Sequence, residues 1–508
     1  MGFDFSTFKD PALSESFVDW LVDEKWVEAG LHYGKLWDYY DNPMRQASPR
    51  GSGEGGLQET ARNYVQAQEV GLPPRITGLV YSSAGEGRSV GDIQRKEVVI
   101  ENDIAWRVNA MVDFLFGKGV TFVSRSPAAA RRRELERIIK AVFSANGGTG
   151  FFQDMAVLGG VYGFVDCLVR PGQTVLSHFD SSKAGAAKRP ADFESIVEIA
   201  SRLELELIEA PRALPILDEG DYRRIAYYVQ NFRQLKNDVT RDGGFLHRLL
   251  SATRGSRGRL RRVGAMVTEI IGPHWWQRYE DRQRVAEGEN ILGVVPVVHI
   301  QNVARPYAYE GISDVEQLIA LQDELNTRLS DRASRITFQA FKMYLAKCMD
   351  GLTDRPVGPG RVWFTDNPEA KIEAFGGDAA TPSEDRHIDE IRDAMDKVSG
   401  VTPVVAGLLK NKLGNLTSGV ALKMTFMGML ARTSRKQFTY GEGLKVICRL
   451  ILHTLDACGI YNTTPSEREF EVQFPNPLPE NMMERLEEAR IKKELGIDGE
   501  KILSELGY

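Results

Sequence analysis

A chain of 508 residues is long enough to bury more than one core, and 42% hydrophobic with 26% charged residues is the make-up of a globular protein, not a fibrous or disordered one. The formal net charge of −6 gives no bulk attraction to nucleic acid or to an anionic membrane, so any contact with DNA must be local or weak. Cys167, Cys348, Cys448 and Cys458 are scattered without a CxxC pair, which argues against a zinc site or a disulfide framework and fits a reducing compartment.

In chain order, residues 1–72 read as short helices ending in the glycine-rich loop "SPRGSGEGG". From Glu101 to Phe122, Ile104, Val108, Met111, Val112 and Leu115 recur at helical spacing, and Gly117 and Gly119 close the predicted helix. A second helix is predicted from Arg131 to a glycine stop at Gly147. From about Met155 to Ile300 the chain turns β-rich, with strand candidates separated by polar or glycine-bearing turns. Within it, "TRGSRGRLRR" at Thr253–Arg262 reads as an exposed hairpin tip. It is either a solvated loop or a local contact for nucleic acid.

At Ser313 the character changes. Ser313 and Glu316 form a capping-box pattern, and Val315, Leu318, Leu321, Leu325, Leu329, Ala333 and Ile336 mark one helical face. Residues 338–380 read as a small β-containing excursion. Thr381-Pro382-Ser383-Glu384 then opens a second helix, with Ile388, Ile391, Met395 and Val398 as its stripe and Gly400 as its stop. After "VTPVVAGLLKNK" and "KLGNLTSGVALKM" a very long helix is predicted from about Val420 to Ala457, with Gly441 and Gly443 as candidate kink points. A linker, "FPNPLPEN", and a charged helix finish the chain.

The motifs of common enzymes are missing. There is no HExxH, GxSxG or Rossmann GxGxxG, and the seven histidines stand singly. The Trp275-Trp276 pair can stack on a base, but a strand-borne aromatic is more often core. No run of eighteen apolar residues predicts a membrane span, and "MGFDFSTF" lacks the basic and apolar regions of a signal peptide. In "KLGNLTSGVALKM", Gly414 and Gly419 flank four residues as in a phosphate-binding loop. Val420 and Ala421 follow where Lys and Ser/Thr are required, so the stretch is not a nucleotide site. It is a glycine-bearing loop feeding a helix. The residues alone favour a plain interhelical linker, with lysines facing solvent, over a working loop.

Taken with the long helix after it, "KLGNLTSGVALKM" resembles the glycine-asparagine, Ser-Gly-Val-Ala-Leu-Lys block of the portal proteins of tailed bacteriophages. "NDIAWRVNAMVDFLFGKGVTF", "NILGVVPVVHIQN" with "ISDVEQLIALQDELNTRLSD", and the closing "ILSELG" are similar to further segments of that family in the same order. The resemblance spans most of residues 100–508. It is weak over 181–265 and over the first hundred residues.

The resemblance implies an α+β, mainly helical subunit with a wing, a helical stem, a small α/β clip, a tunnel loop and a helical crown. It places an α+β wing region at 1–312, a first stem helix at 313–337, the clip at 338–380 and a second stem helix at 381–401. A tunnel loop follows at 402–419, then a long wing helix at 420–460 and C-terminal crown helices at 461–508. It further implies a ring, usually of twelve copies, at one vertex of the shell, through which double-stranded DNA passes in packaging and ejection. Expected partners are the terminase, a head-completion or adaptor protein, and the major capsid and scaffolding proteins. No enzymatic activity, cofactor, metal or membrane is expected, and the location is the virion, with the host cytoplasm during assembly.

The residues give that picture a mechanism. Lys410, Asn411, Lys412, Leu413 and Asn415 would face DNA on a backbone hinged at Gly407, Gly414 and Gly419. The helix at 381–400 carries six acids against three bases, so Glu384, Asp385, Asp389, Asp393 and Asp396 would line a weakly attractive channel. The alternative is a DNA-processing enzyme or accessory factor that uses Arg254, Arg257, Arg259, Arg261 and Arg262.

Overall fold

The computed structural model describes residues 3–5, 13–46, 64–81, 87–89, 97–177, 192–238, 261–340, 343–347, 369, 371–375, 382–402, 423–478, 482–496 and 499. They fall into two units. One draws on Met1–Tyr40, Trp106–Glu316 and Gly400–Tyr508, and the other on Asp41–Ala105 and Gln317–Ser399. Residues 41–105 thus group with 317–399 and not with the rest of the expected 1–312 region.

In the first unit a five-stranded antiparallel sheet runs in the order Gln283–Glu289, Trp275–Glu280, Arg261–Ile271, Ile225–Asp238, Ala213–Leu217. Strands consecutive in sequence are neighbours in the sheet, each pair antiparallel. Period-two alternation sends Trp275 and Tyr279 into a core with Tyr227, Val229 and Ile270. Phe3, Phe5, Val18 and Val22 complete that core, which fixes a helical run over the sheet. This run consists of Glu15–Trp20, a π-helical turn at Leu21–Lys25, and Trp26–Asp41. Trp275 is therefore a core residue and not a stacking platform.

A second sheet has Phe164–Arg170 between Val297–Gln301 and Glu204–Ile208. Six consecutive residues of its central strand are buried, among them Asp166. That carboxylate accepts hydrogen bonds from Tyr228 Oη at 2.7 Å and Tyr309 Oη at 3.0 Å, and His299 Nδ1 lies 2.7 Å from it. The opposite ring nitrogen of His299 is 2.7 Å from the carbonyl of Tyr309. A buried carboxylate is tolerated only when satisfied in this way.

The long helix runs from Met427 to Ala457 as one α-helix, with Gly441 and Gly443 inside it. They are points of close approach. A Cβ on Gly443 would lie 2.4 Å from Ile300 Cγ1, and one on Gly441 would lie 3.3 Å from Phe474. Two further corrections concern segments read from composition. Thr149–Tyr162 is a buried helix where β structure was expected from Met155, and Phe193–Ala200 is also helical. The segment after the long helix is not wholly helical, because Phe470–Gln473 forms an antiparallel pair with Thr121–Ser124 before the charged helix Met482–Glu494.

In the second unit the helix expected from Ser313 begins as a 3₁₀ turn at Glu316–Leu318, which straddles the boundary of the unit, and becomes α-helical over Ile319–Ala340. Ile336, expected on its apolar face, is half exposed. Part of the buried face is polar: Gln322, Asn326 and Ser330, one turn apart, are fully buried. They hold an extended backbone segment. Ser330 Oγ accepts from Val99 N–H at 3.0 Å, Asn326 Oδ1 from Glu101 N–H at 3.0 Å, and Gln322 Oε1 from Ile104 N–H at 3.3 Å. These side chains do for residues 99–104 what a neighbouring strand would do, leaving those buried donors satisfied. The second helix, Pro382–Ser399, packs on the first through Ile388, Ile391 and Met395. Each is worth roughly 1.5–3 kcal/mol of burial. Between the helices, Met343–Lys347 pairs with Lys371–Phe375.

Two stability measurements by chemical denaturation check this account. Gly443→Ala is expected to cost about 1–3 kcal/mol through overpacking against Ile300. Ile300→Ala should cost less in that background than in the parent, because it removes the clashing atoms. Asn326→Leu is expected to cost about 1–3 kcal/mol by stranding the Glu101 N–H.

Candidate functional site

Two features are relevant to the expected channel: the outward face of the helix Pro382–Ser399 and the base from which residues 403–422 spring. On the helix, the apolar stripe fixes which acids point away. Asp385, Asp389, Glu390 and Asp393 are exposed, with Arg386 and Lys397 among them. Asp389 and Asp393 make no ion pair among the described residues, whereas Asp385 meets Arg332 at 3.0 Å. Glu384 was expected on the same lining. Its side chain instead turns onto the neighbouring helix, 2.7 Å from Arg335 and 11% exposed. Two residues before Arg386, it falls on the flank of the buried stripe, where an arginine from the facing helix can reach it. Asp396 is half-buried.

The base of the loop lies wholly in the first unit. Gly400 ends the preceding helix with φ +69°, a left-handed turn that glycine adopts without strain. The next residue, Val401, is fully buried with Ala110, Met111, Phe426, Met429 and Leu478, and its carbonyl accepts from Arg107 Nη1 at 3.2 Å. Val401 and Phe426 stand on either side of residues 403–422, so the two ends of that stretch share one apolar cluster. A span whose ends are held together has a fixed point of departure whatever its own conformation.

The returning end is pinned by charge. Lys436 and Arg432, one turn apart on the long helix, both bind the carboxylate of Asp314, Arg432 Nη2 at 2.7 Å and Lys436 in a shorter contact. Asp314 and Lys436 are buried. Ser313 beside them donates to the Val161 carbonyl at 2.6 Å and accepts from Val315 and Glu316 N–H, so the cap read from sequence is present on its serine side. Burial pushes the Asp314 carboxyl up, but Lys436 and Arg432 outweigh it, and its pKa lies below the ordinary aspartate value. Burial pulls the Lys436 ammonium below its ordinary value despite Asp314, since Arg432 adds a second positive charge nearby.

The loop residues Lys410, Asn411, Lys412, Leu413 and Asn415, and the hinges Gly407, Gly414 and Gly419, lie outside the described residues. So do Arg254, Arg257 and Arg259 of the basic segment. Arg261 and Arg262 belong to the strand Arg261–Ile271, opposite Asp238 and Asn237. Among the described residues there is no cluster of three or more metal-ligating side chains, and no helix is long and apolar enough to cross a membrane. The Asp314–Arg432–Lys436 cluster was missed from sequence, although a signal existed. The stripe Tyr440, Leu444, Ile447, Ile451 extends backwards by one turn onto Lys436, and a lysine on a buried stripe needs an acid.

Replacing Lys436 with methionine should cost about 3 kcal/mol, near the lower end for a broken buried pair because Arg432 still faces Asp314. The depressed folded value means that Asp314 adds stability above the unfolded aspartate range, near pH ~4. That stability is lost as pH falls through the lower folded value. Unfolding free energy measured against pH should therefore fall less steeply on the acid side in Asp314→Asn than in the parent.

Comparison with known proteins bears on what this arrangement belongs to. The solved structures similar to the chain include two of gene transfer agent (GTA) particles. The neck of an empty GTA particle computed with C6 symmetry has a TM-score of 0.46 and 12% identity, covering 80% of this chain and 90% of that one. The virion of a native GTA particle has a TM-score of 0.37 and 10% identity, covering 78% of this chain and 86% of that one. No curated protein matches. Residues 104–506 match the family described as phage portal protein, SPP1 Gp6-like, and the chain belongs to that family of phage portal proteins.

Proposed function

We propose that copies of this chain close into a ring at one vertex of a phage head, with a central channel for double-stranded DNA during packaging and ejection. The observation that carries this reading is family membership across residues 104–506. In this reading the paired helices Ile319–Ala340 and Pro382–Ser399 form the stem, residues 403–422 form the loop at the bore, and terminase and head-completion proteins dock on the ring. The chain itself is a structural part and leaves ATP hydrolysis to the terminase.

The chemistry of the exposed helix face supports the role. Duplex DNA carries a negative charge about every 1.7 Å of its axis, and a basic lining would hold it by counterion release. Asp385, Asp389 and Asp393, diluted by Arg386 and Lys397, give a face that repels weakly and binds nothing tightly. Repeated around a ring, that face lets a polyanion slide. Lys410, Lys412 and the amides Asn411 and Asn415 then supply a few contacts at one level of the channel.

Two sets of variants test this reading. Neutralising Lys410 and Lys412 to glutamine should lower the amount of nuclease-protected DNA per head while leaving rings intact in electron micrographs. Converting Asp389 and Asp393 to lysine should slow DNA passage, with the defect relieved at higher salt. Unchanged packaging in both sets, with rings formed, would contradict a DNA-facing role for these residues.

A further inference from the structure

The first unit carries an exposed apolar stripe and an apolar groove that none of the described residues fills. The stripe lies on the solvent side of the N-terminal helical run. Phe17, Trp20, Val27 and Leu31 are 41%, 38%, 50% and 67% exposed, while Val18, Leu21, Val22, Tyr33 and Leu36 face the core. The rings of Phe17 and Trp20 stack at 5.7 Å, forming one aromatic surface. Acids flank it: Glu15, Asp19, Asp23, Glu24 and Glu28, against Lys25. Arg282 binds Asp19 and Asp23, and Lys25 binds Glu28, leaving Glu15 and Glu24 on the exposed side.

The groove has a volume of about 1040 Å³, at the upper end for a small-molecule pocket. Its floor includes Val294, Val297, Ile300, Phe438 and Val446. Phe438 is 71% exposed there, an unusual position for a phenylalanine on a helix whose other aromatic, Tyr440, is fully buried. The rim is basic. Arg223, Arg224 and Arg305 line it, and Arg224 and Arg305 make no ion pair among the described residues. Its two acids are engaged within the chain, Glu442 by Lys445 at 2.7 Å and Asp218 by the Gly220 N–H at 2.9 Å. On the lip, beside Arg305 and Pro306, Tyr307 is 91% exposed in a left-handed backbone with φ +61°. A bulky residue held in that conformation stores strain that an isolated subunit gains nothing from.

We infer that the groove receives the N-terminal helix of a second copy of this chain, with Trp20, Val27 and Leu31 against the Phe438 floor and the helix's acids against the arginine rim. An amphipathic helix with anchors about one or two turns apart and an apolar groove are the two halves of the helix-in-groove mode. The charges match in sign, acidic helix to basic rim, which fixes orientation as well as attraction. Stripe and groove are different patches of one subunit, so their union is heterologous and generates a ring when the rotation closes. This inference rests on the ring reading and adds to it the surfaces that join one copy to the next.

The test mixes two differently tagged full-length single variants, Leu31→Cys and Phe438→Cys, under mild oxidation. Cys348 is changed to serine in both variants, and the other native cysteines, Cys167, Cys448 and Cys458, are buried. A disulfide between unlike chains, absent when either variant is alone, is the expected result. Leu31→Asp should raise the protein concentration needed for ring formation by about tenfold or more, with the thermal melt of the subunit unchanged. Arg224→Glu should do the same, with partial recovery on adding Glu24→Arg. Rings that form normally without the unlike-chain disulfide would overturn this inference and leave the ring reading intact. Disulfides between two Leu31→Cys chains would overturn it in favour of stripe-to-stripe pairing. A parent protein that stays monomeric at every concentration would remove the ring reading, and this inference with it.

Discussion

A single buried aspartate holds the long helix to which the chain returns after residues 403–422. Asp314 sits where the chain leaves the first unit, and its carboxylate is shared by Arg432 and Lys436 on the long helix. Two cations on one buried anion make a rigid joint, because removing the aspartate would leave the buried Lys436 without a counter-charge. Together with the Arg107 bond to Val401, that joint fixes both ends of residues 403–422. The apolar cluster around Met111 and Met429 provides the remaining grip.

Close approach and polar satisfaction, more than apolar area alone, organise the rest. Gly443 lets the long helix settle on Ile300, and the glutamine, asparagine and serine of the helix Ile319–Ala340 replace a missing strand beside residues 99–104. These contacts have one good geometry, whereas a greasy interface tolerates several. A subunit that repeats around an axis benefits from such definition, since a small error in one copy recurs in all of them.

Much of this was legible in the sequence, and the failures have physical causes. Helical periodicity located Asp103–Phe116, Ala129–Ala145, Ile319–Ala340 and Pro382–Ser399, because each buries one face of a solvent-exposed helix. Thr149–Tyr162 escaped because it is buried nearly all round, so its apolar run mimics a strand. The close packing at Gly441 and Gly443 was not legible, because sequence does not show what passes over a helix. Of the expected acidic lining, Asp385, Asp389 and Asp393 are outward and Glu384 is not, since the arginine that turns it aside lies on another helix. The family block in "KLGNLTSGVALKM" was legible as a resemblance, and membership of the portal family followed from the match over residues 104–506.

The position of residues 403–422 in the assembled particle decides whether they serve a DNA channel. End-on reconstruction of the purified protein, with an electron-dense label on a cysteine placed at Lys412, measures this directly. The expected result is a closed ring with label density around the central opening. Label density on the outer circumference, away from any opening, would contradict the central claim.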